Sequence, residues 1–390
     1  MERFDAVVVG GGLLGAAAAY YLTRGGAHTL LLEKGELNRQ ASGQNAGSLH
    51  FQLEFRMIEH GDAVAEQFAA PMPLFLDARR TWAALEDELD ERLEVHLTGG
   101  LMVAETREQA DLLERKSELE RRHGLETHVL GKDEVLAFAP YLSGSVAAAC
   151  WCPDEGHANP RLVAPAFAKA AVRSGASLRT RSRVVGLSPA GTGWEVALGG
   201  GEHVRADAVV VAAGAWTGDV TSLADALLPI LPRALTMLAT AWTQPMIGHL
   251  VQHAGARLSL KQTTDGNVLV GGGWPARLRR RDSAVDLDQR PALTYGSIVG
   301  NAAVAARVVP SLRSLPVIRI WTGVVGVTPD QVPLVGRVPS RPGLYVATGG
   351  AGFTLGPTLA RLIAEIVLGR PPSLPLDTYD PVRYAHLIST

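Results

Sequence analysis

The chain has 390 residues, and its 37 lysines and arginines against 39 aspartates and glutamates leave a formal net charge of −2 at pH 7. A chain of this length exceeds the size at which one hydrophobic core stops growing, so we expect two interleaved domains. The near balance of charge removes any general electrostatic case for binding nucleic acid or an anionic membrane. Small molecules and other proteins are therefore the expected partners.

The chain has only two cysteines, Cys150 and Cys152. Two thiols are too few for a four-thiolate iron–sulfur cluster, a zinc site or a disulfide framework, so we expect no metal in this chain and a reducing compartment. The N-terminus lacks the pattern of a secretory signal, and no stretch reaches the roughly 18 apolar residues of a membrane span. We expect a cytoplasmic protein with no transmembrane segment; association with a membrane through partner proteins stays open.

The chain begins with a pattern of strand, glycine turn, helix and strand. Residues 5–10 predict a buried parallel strand, residues 13–25 a helix of small side chains, and residues 28–33 a second strand. The motif G-x-G-x-x-G, at residues 10–15, falls directly between the first strand and the helix. Glycines there permit a tight turn and the close approach of a pyrophosphate, to which the helix N-terminus offers amide donors.

An acidic residue completes this unit. Glu33 ends the second predicted strand, where its carboxylate can accept a hydrogen bond from a ribose hydroxyl. Strand, turn, helix and acid in register favour dinucleotide binding over a chance glycine-rich turn. FAD and NAD(P) proteins share the unit, so the unit alone leaves the choice of cofactor open. The cofactor-binding residues predicted here are Gly10, Gly12, Leu13, Leu14, Gly15, Glu33 and Lys34.

The rest of the chain alternates between helical and strand-forming segments. Residues 81–138 are helical in pattern and charged, which predicts a solvent-facing insertion outside the nucleotide core. Residues 228–325 alternate between apolar and polar and contain turn signals, which is typical of an antiparallel sheet. The further elements predicted are helices at 160–174, 291–309 and 356–368, and strands at 182–188, 193–198, 203–205, 207–214 and 343–348.

Two more glycine-rich segments are candidates for cofactor contacts. Residues 40–50, here named the first flavin loop, offer hydroxyls, an amide and small residues suited to a diphosphate and a flavin ring, although an ordinary polar loop has the same composition. Residues 348–354 place backbone amides before a helix, where they can reach a flavin carbonyl; a helix entry with glycine bends is the alternative. The further cofactor-binding residues predicted are Ser42, Gly43, Asn45, Ala46, Gly47, Ser48, Leu49, Val184, Ala213, Gly214, Trp216, Gly349, Gly350, Gly352, Phe353 and Thr354.

These segments, with DEGHANPRLV at 154–163 and TPDQVPLVG at 328–336, resemble the D-amino-acid-oxidase-like superfamily of FAD-dependent oxidoreductases over essentially the whole chain. The resemblance implies an α/β fold, in which a Rossmann-like FAD-binding domain of the GR2/DAO type joins a substrate domain of antiparallel sheet plus helices. The implied FAD-binding domain is discontinuous. It comprises residues 1–80, 140–226 and 325–390, and residues 81–139 and 227–324 form the substrate domain.

Two segments, at residues 42–52 and 349–369, are most similar to the B subunits of opine oxidases, and also resemble D-hydroxyproline dehydrogenase and one subunit of hydrogen cyanide synthase. This resemblance implies oxidation of the C–N bond of an opine such as octopine or nopaline, of D-hydroxyproline or of a D-amino acid, by hydride transfer to the flavin. It also implies a heteromeric complex, whose other subunits carry an iron–sulfur cluster and a second flavin or nucleotide. A self-sufficient glycine or D-amino-acid oxidase, and a flavin-bearing electron-relay subunit without a substrate site, stay open.

The chain departs from its relatives in two places. Glycine-oxidase-like enzymes carry an arginine just before the TPD segment that holds the substrate carboxylate, whereas residues 323–326 contain none. Sarcosine-oxidase relatives tether the flavin through a cysteine in this region, and both cysteines here lie far from it in the sequence, so we expect noncovalent FAD. The spacing of Cys150 and Cys152 places both on one face of a strand, as small buried hydrophobic residues.

Hydride transfer to a flavin needs an oriented neutral amine and little else, so catalytic acids or bases need not appear as a motif. His50, after the flavin loop, and Lys261, in a predicted strand, are candidates for the substrate site; a loop histidine and a solvent-facing lysine are the alternatives. Trp274 and Trp321 can wall a pocket or pack in the core. Arg319 shares a predicted strand face with Trp321 and is our candidate for the missing carboxylate contact.

Four arginines occur within residues 277–281, in a predicted loop. Such a run exceeds what solubility requires. It predicts either a docking site for an acidic partner or a solvated basic turn.

Overall fold

The computed structural model describes residues 1–388. Residues 389 and 390, which the predicted FAD-binding domain includes, lie outside the described residues. Within the described part of the chain, no helix is both long and apolar enough to cross a membrane.

Strands and helices alternate through the first half of the chain, and strands dominate the second half. The strands are β1 (Glu2–Val9), β2 (Thr29–Leu32), β3 (Ser48–Leu49), β4 (Gly100–Ala104), β5 (His128–Gly131), β6 (Ala148–Cys152), β7 (Gly156–His157), β8 (Ser177–Arg179), β9 (Val184–Ala190), β10 (Gly193–Leu198), β11 (His203–Val211), β12 (Leu231–Trp242), β13 (Leu250–His253), β14 (Ser259–Gln262), β15 (Asn267–Gly271), β16 (Arg280–Arg281), β17 (Ala284–Val285), β18 (Val317–Val327), β19 (Leu334–Arg337) and β20 (Leu344–Thr348). The α-helices are α1 (Leu13–Arg24), α2 (Ala41–Gln44), α3 (Phe55–Ile58), α4 (Asp62–Ala69), α5 (Met72–Leu89), α6 (Arg107–Arg122), α7 (Lys132–Phe138), α8 (Pro160–Arg173), α9 (Thr217–Ser222), α10 (Tyr295–Val308) and α11 (Gly356–Val367). Short 3-10 helices span Gly214–Trp216, Pro310–Ser314, Asp377–Tyr379 and Pro381–Leu387.

The first sheet is the dinucleotide-binding sheet that the N-terminal pattern predicts. Its main path runs β19-β20-β11-β1-β2-β8, with the antiparallel strands β10 and β9 continuing from β11. The central strands β20, β11, β1, β2 and β8 are parallel. The residues of β1 from Ala6 to Val9 are buried, since both faces of a parallel sheet are covered. The fold class predicted from the sequence is confirmed.

The helix α1 packs closely against this sheet because its inner residues are small. Residues 16–19 are four alanines with no exposed surface. A side chain at Gly15 would collide with the carbonyl oxygen of Gly10, so the helix could not follow the strand at this distance with any larger residue there. Small residues along α1 therefore fix where the helix N-terminus lies relative to the end of β1.

The second sheet is mostly antiparallel, and its order is β18-β12-β15-β14-β13-β4-β6-β5. Among its described strands, only the pair β13 and β4 is parallel. The helices α6, α7 and α10 belong to this half of the molecule, through contacts with β4, β5, β6, β12 and β15. An antiparallel sheet with helices is what the resemblance implies for the substrate domain.

Two sequence expectations are corrected by this sheet. Residues 81–138 are not only a charged, solvent-facing helical insertion: the apolar stretch GLMVA forms β4, every residue of which is buried between β13 and β6. The predicted boundary at residue 140 assigns β6 to the FAD-binding domain, but this strand pairs with β4 and β5 of the second sheet. Main-chain hydrogen bonds between strands distant in sequence decide both points, and the other domain boundaries stay predictions.

The two cysteines lie in β6 as free, fully buried thiols. Both are buried on one strand face, as predicted, but Cys150 Sγ also accepts a hydrogen bond from Lys116 Nζ at 3.6 Å and is therefore not only a hydrophobic residue. Part of the arginine run at residues 277–281 is in a strand rather than a loop: Arg280 and Arg281 form β16, which pairs with β17 in an exposed hairpin.

Candidate functional site

A cavity of about 990 Å³ lies between the two sheets. The first sheet contributes the glycine turn after β1, the end of β2 and the segments after β11 and β20, and the second sheet contributes β12, β18 and the starts of neighbouring loops. This volume is at the upper end of the roughly 300–1,000 Å³ of ligand pockets. The cavity has room for a dinucleotide and a small substrate together.

The glycine turn forms one end of the cavity. Gly10 has a φ of 118°, and a Cβ there would lie 2.5 Å from the carbonyl oxygen of Ala212. Gly12 precedes α1 and has no Cβ to narrow the cavity; one would lie 2.9 Å from the Ser42 hydroxyl. Ser42 accepts a hydrogen bond from the backbone N–H of Leu13 at 2.9 Å. The turn therefore exposes its backbone to the cavity. Ser42, from the segment at residues 40–50, binds the N-terminus of α1.

Glu33 lies at the end of β2, on the wall of the cavity. Its two carboxylate oxygens accept hydrogen bonds from the backbone N–H groups of Gly11 at 2.7 Å and Gly35 at 2.8 Å. These two bonds fix the carboxylate beside the glycine turn and leave lone pairs on each oxygen for a further donor. The position suits the contact with a ribose hydroxyl that the sequence predicts for Glu33.

A charged cluster follows Glu33 at the same end of the cavity. Lys34 Nζ lies 3.6 Å from the centre of the Trp216 ring and donates to Asp288 Oδ1 at 2.6 Å. Arg183 donates to the other oxygen of Asp288 at 2.8 Å. Asp288 lies on the segment between β17 and α10, so this segment reaches across to the first sheet and ties two cavity-lining cations together. Burial lowers the pKa of Lys34, against the raising effect of Asp288.

The glycine-rich segment before α11 borders the cavity from the other side. Gly349 has a φ of 122°, a backbone conformation that favours glycine. The Thr354 hydroxyl accepts a hydrogen bond from the His50 backbone N–H at 3.3 Å, and the Thr354 carbonyl accepts one from Trp82 Nε1 at 2.7 Å. The Trp82 side chain is fully buried, so it anchors the segment to α5.

A strip of alternating residues runs along the cavity after the first flavin loop. Within residues 48–56 the apolar residues Leu49, Phe51 and Leu53 are buried in the core. The polar residues between them face the cavity instead. Sequence reasoning missed most of this strip, although the alternation S-L-H-F-Q-L-E-F-R is visible in the sequence and has the period of an extended chain. The strip consists of Ser48, His50, Gln52, Glu54 and Arg56.

His50 occupies the middle of this strip. Its Nε2 lies 3.1 Å from the Ser259 hydroxyl, and its Nδ1 has no hydrogen-bond partner among the described residues and is buried. The nearest carboxylate, Glu155, lies 3.9 Å from Nδ1 and instead accepts from the backbone N–H groups of Phe51 and Gln52. Nδ1 of His50 thus lies on the buried side, towards Glu155, and Nε2 is held by Ser259.

Lys261 does not line the cavity. Its side chain is buried, and Nζ donates to the carbonyl oxygen of Ala158 at 3.2 Å. Nζ also lies 3.1 Å from where a Cβ on Gly47 would stand, so the lysine lies behind the first flavin loop. Burial lowers the pKa of Lys261 to about 7.

The other three predicted substrate residues also lie outside the cavity lining. Trp274 packs against Gly300 of α10 and donates to the carbonyl oxygen of Arg257 at 3.0 Å. Trp321 donates to the carbonyl oxygen of Gln44 at 2.7 Å and so docks the second sheet on the flavin loop. Arg319 is exposed, with its guanidinium 5.3 Å from the centre of the Trp321 ring.

The cavity brings together most of the predicted cofactor-binding residues. Those that line it are Gly10, Gly12, Leu14, Glu33, Lys34, Ser42, Asn45, Ala46, Ser48, Val184, Ala213, Gly214, Trp216, Gly349, Gly350, Gly352, Phe353 and Thr354. Five others shape the loops from behind: Leu13, Gly15, Gly43, Gly47 and Leu49 do not line it. Gly43 and Gly47 are close to backbone oxygens of Asn38 and Ala158, and Leu49 is a core residue.

Four arginines line the cavity, and none of them is the predicted Arg319. Arg56 forms a two-point contact with Glu54, at 3.0 Å for each pair of atoms, and also hydrogen-bonds to Gln331. Opposing the effect of burial, the charge of Arg56 holds the pKa of Glu54 down, at about 2. Arg183 pairs with Asp288, and the remaining two are Arg233 and Arg257.

The strand–turn–helix unit, its acidic residue and the adjoining cavity define a dinucleotide-binding oxidoreductase. The sequence profile of the DAO family, described as FAD dependent oxidoreductase, matches residues 5–366. The chain belongs to this family.

Relatives match the chain over nearly its full length. Glycine oxidase of Geobacillus kaustophilus (strain HTA426) is 28% identical over 383 residues, which cover 94% of this chain and 93% of the relative. The crystal structure of glycine oxidase from Geobacillus kaustophilus superimposes with a TM-score of 0.86 at 27% identity, covering 98% of this chain and 99% of the other. The B subunit of opine oxidase from Rhizobium meliloti is 26% identical over 380 residues, covering 95% of each. L-proline dehydrogenase from P.horikoshii has a TM-score of 0.85 at 25% identity, covering 100% of both chains.

These matches confirm the predicted superfamily, the FAD cofactor and an enzyme that oxidises amino-acid derivatives. The described residues fit FAD: the glycine turn, where a Cβ on Gly12 would meet the Ser42 hydroxyl, exposes backbone at a helix N-terminus on the cavity, and the Glu33 carboxylate is fixed beside it. FAD bound here would supply the acceptor for a hydride from the carbon that carries the substrate nitrogen. The polar strip and β12 line the part of the cavity beyond the glycine turn.

Proposed function

We propose that the chain oxidises the C–N bond of an amino-acid derivative as one subunit of a heteromeric dehydrogenase. The substrate class is an opine such as octopine or nopaline, or D-hydroxyproline or another D-amino acid. The C–N single bond becomes C=N as a hydride leaves the carbon and a proton leaves the nitrogen, and water then hydrolyses the imine. The electrons leave the flavin for an acceptor in a partner subunit.

One observation carries the proposed chemistry. The cavity that begins at the glycine turn continues without interruption along the polar strip to β12 and β18 of the second sheet. A substrate on this second part of the cavity is therefore adjacent to the flavin. Polar and cationic residues line this part, among them His50, Gln52, Arg233 and Arg257, which suits a small carboxylate with a nitrogen to be oxidised.

The proposal that the chain is a subunit of a heteromer is supported by a relative and by the cysteine content. The B subunit of opine oxidase, by its name one part of a larger enzyme, matches the chain over 95% of both lengths. The chain has only two cysteines, and both are buried in β6, so an iron–sulfur centre that receives the electrons would belong to a partner. The partner would also carry any second flavin or nucleotide.

The substrate proposal is tested with the isolated flavoprotein under anaerobic conditions. Octopine, nopaline, D-hydroxyproline, D-alanine and glycine are added separately, and loss of the oxidised flavin absorbance is followed. We expect reduction by an opine or by a D-amino acid, and slow reoxidation in air compared with an added artificial acceptor. Absence of reduction by every amine would favour an electron-relay subunit without a substrate site.

A self-sufficient oxidase is the second candidate function. The similarity to glycine oxidase of Geobacillus kaustophilus, at 28% identity, favours it. In that case glycine or a D-amino acid would reduce the flavin, and the reduced chain would reoxidise in air at the rate of turnover with release of peroxide. The same experiment thus separates both candidates.

The heteromer is tested at the arginine hairpin. Its guanidinium groups are partly held within the hairpin, since Arg280 donates to the Ser283 carbonyl and Arg281 pairs with Asp286. The Arg281 side chain is nevertheless 73% exposed, which leaves it available to a carboxylate of a partner. Replacing Arg279, Arg280 and Arg281 with serine should weaken assembly and leave FAD content unchanged.

The matched control replaces three exposed arginines elsewhere, Arg107, Arg205 and Arg313, with serine. Co-purification of partner subunits expressed together with each variant is the measurement. Partners that co-purify equally with both triple variants would contradict the docking role of the hairpin.

A further inference from the structure

The position at which relatives carry a carboxylate-binding arginine is apolar in this chain. Residues 323–326, before the TPD segment, lie in β18 and contain no cation. Val324 and Val325 nevertheless line the cavity. The place for a carboxylate contact is thus present, but β18 supplies no charge to it.

The neighbouring strand supplies a charge at this place. Strand β12 pairs with β18 in antiparallel register, and Arg233 is the direct partner of Val325. Side chains of directly opposed residues share a face, with Cβ atoms roughly 4.5–5.5 Å apart. Arg233 also lines the cavity. Its long side chain therefore starts one strand away from the position of the relatives' arginine and can reach the same part of the cavity.

The shared face of β12 and β18 looks towards the flavin loop. Along this face Leu231 pairs with Val327, and Leu235 with Gly323. A Cβ on Gly323 would lie 3.2 Å from the Gln44 side-chain oxygen. Two residues further along the same face, Trp321 donates to the Gln44 carbonyl. The face that carries Arg233 is therefore the one that closes over the first flavin loop.

No described residue forms an ion pair with Arg233. Arg56 is paired with Glu54, and Arg183 with Asp288, whereas the Arg233 side chain is exposed and forms no hydrogen bond or ion pair from residue 1 to residue 388. An unpaired guanidinium on a cavity wall is a ready partner for a carboxylate, which it can bind through two parallel hydrogen bonds.

We propose that Arg233 binds the substrate carboxylate, in the place of the arginine that β18 lacks. This inference rests on the proposed function, since it assigns the contact that holds an amino-acid derivative at the flavin. Arg319, the candidate from sequence, lies six residues before Val325 on β18, which is about 20 Å along an extended strand. Arg257 also lines the cavity, and no ion pair or hydrogen bond of its side chain occurs within residues 1–388, but no register relation places it at the position of the missing arginine.

The test compares binding of benzoate with binding of benzamide, its neutral counterpart, to the oxidised FAD-loaded protein. Binding is measured by calorimetry and by the change in flavin absorbance for Arg233→Gln, Arg233→Lys, Arg319→Gln and Arg257→Gln. Arg313→Gln removes an exposed arginine far along the chain and serves as the matched control. FAD content and the melting temperature report whether each variant folds.

We expect Arg233→Gln to weaken benzoate binding roughly 10- to 100-fold, as the loss of a charge-assisted hydrogen bond implies, and to leave benzamide unaffected. Arg233→Lys should restore part of the affinity. With an amine that reduces the flavin, Arg233→Gln should raise the half-saturating concentration and leave the limiting rate of reduction within a few fold.

Benzoate binding by Arg233→Gln within twofold of the parent protein would overturn the proposal, and so would a wild-type protein that binds benzoate no better than benzamide. A larger effect of Arg319→Gln or Arg257→Gln than of Arg233→Gln would move the contact to that residue and overturn it as well. Failure of every amine to reduce the wild-type flavin is a separate result that refutes the proposed function. The benzoate measurements would still show whether Arg233 binds a carboxylate.

Discussion

The ion pair between Lys116 and Glu120 offers a sharp test of how the cavity wall is supported. Both side chains are fully buried, and Lys116 Nζ lies 2.7 Å from Glu120 Oε2. Lys116 also donates to the Gln52 side-chain oxygen at 2.9 Å, and Glu120 accepts from the Leu53 backbone N–H at 2.7 Å. The pair thus holds the polar strip from behind, and Gln52 faces the cavity.

The substitution Lys116→Met leaves the Glu120 carboxylate buried without a counter-charge, with the Leu53 N–H and the Thr127 hydroxyl as its partners. Removal of one member of a buried ion pair costs about 3–5 kcal/mol, so the free energy of unfolding should fall by that amount. In Lys116→Met/Glu120→Leu the buried charge is gone, and the unsatisfied Leu53 N–H costs only about 1–3 kcal/mol. The double variant should therefore be more stable than the single one.

Urea denaturation of the FAD-saturated protein measures these differences. The matched control is Lys169→Met, which breaks an ion pair with Glu91 whose lysine side chain is 63% exposed, and it should cost less than about 1 kcal/mol. A loss below about 1 kcal/mol for Lys116→Met, or a double variant less stable than Lys116→Met, would refute the assignment of a paired, charged lysine.

The remaining predictions concern the cofactor and one buried amine. Gly12→Val should abolish FAD binding, because a branched side chain fills the space in which backbone meets the pyrophosphate; flavin absorbance measures this. Acid precipitation should release all flavin into the supernatant, since the cysteines are buried in β6. Asp288→Asn should raise the Kd for FAD roughly fivefold, through loss of the exposed contacts to Lys34 and Arg183, as seen by reconstitution of the apoprotein. Burial lowers the pKa of Lys261 to about 7, from 10.5 in water. Between pH 7 and 10.5 the unfolded chain therefore binds a proton on Lys261 that the folded chain does not bind, so the free energy of unfolding should rise with pH over this range. Lys261→Met should remove that rise, as measured by urea denaturation at several pH values.

Each of these expectations has a contrary result. Stoichiometric flavin in the Gly12→Val protein contradicts the assigned turn, and flavin that stays with acid-precipitated protein contradicts noncovalent binding. Equal FAD affinity of the Asp288→Asn and parent proteins means that the segment before α10 does not secure the cofactor. A pH dependence that Lys261→Met leaves intact belongs to another group.

The sequence by itself determined the cofactor unit. The spacing of the glycine turn, α1 and Glu33 is local, since about 30 consecutive residues carry it, and backbone geometry allows few other folds for such a pattern. The alternation of residues 48–56 also held enough information to place His50 and Gln52 on one side of an extended segment.

Tertiary structure alone decided which distant residues meet at the substrate end of the cavity. The register that sets Arg233 opposite Val325 joins positions about 90 residues apart, and the Lys34–Asp288 contact spans 254 residues. For the same reason the sequence did not predict the apolar strand β4, which lies between two charged helices in the sequence. Arg319 was placed on the correct strand by alternation, but it lies too far along β18 from Val325 to contact the substrate carboxylate. Local pattern fixes the face of a strand on which a side chain lies, but strand order and register depend on how the whole core packs.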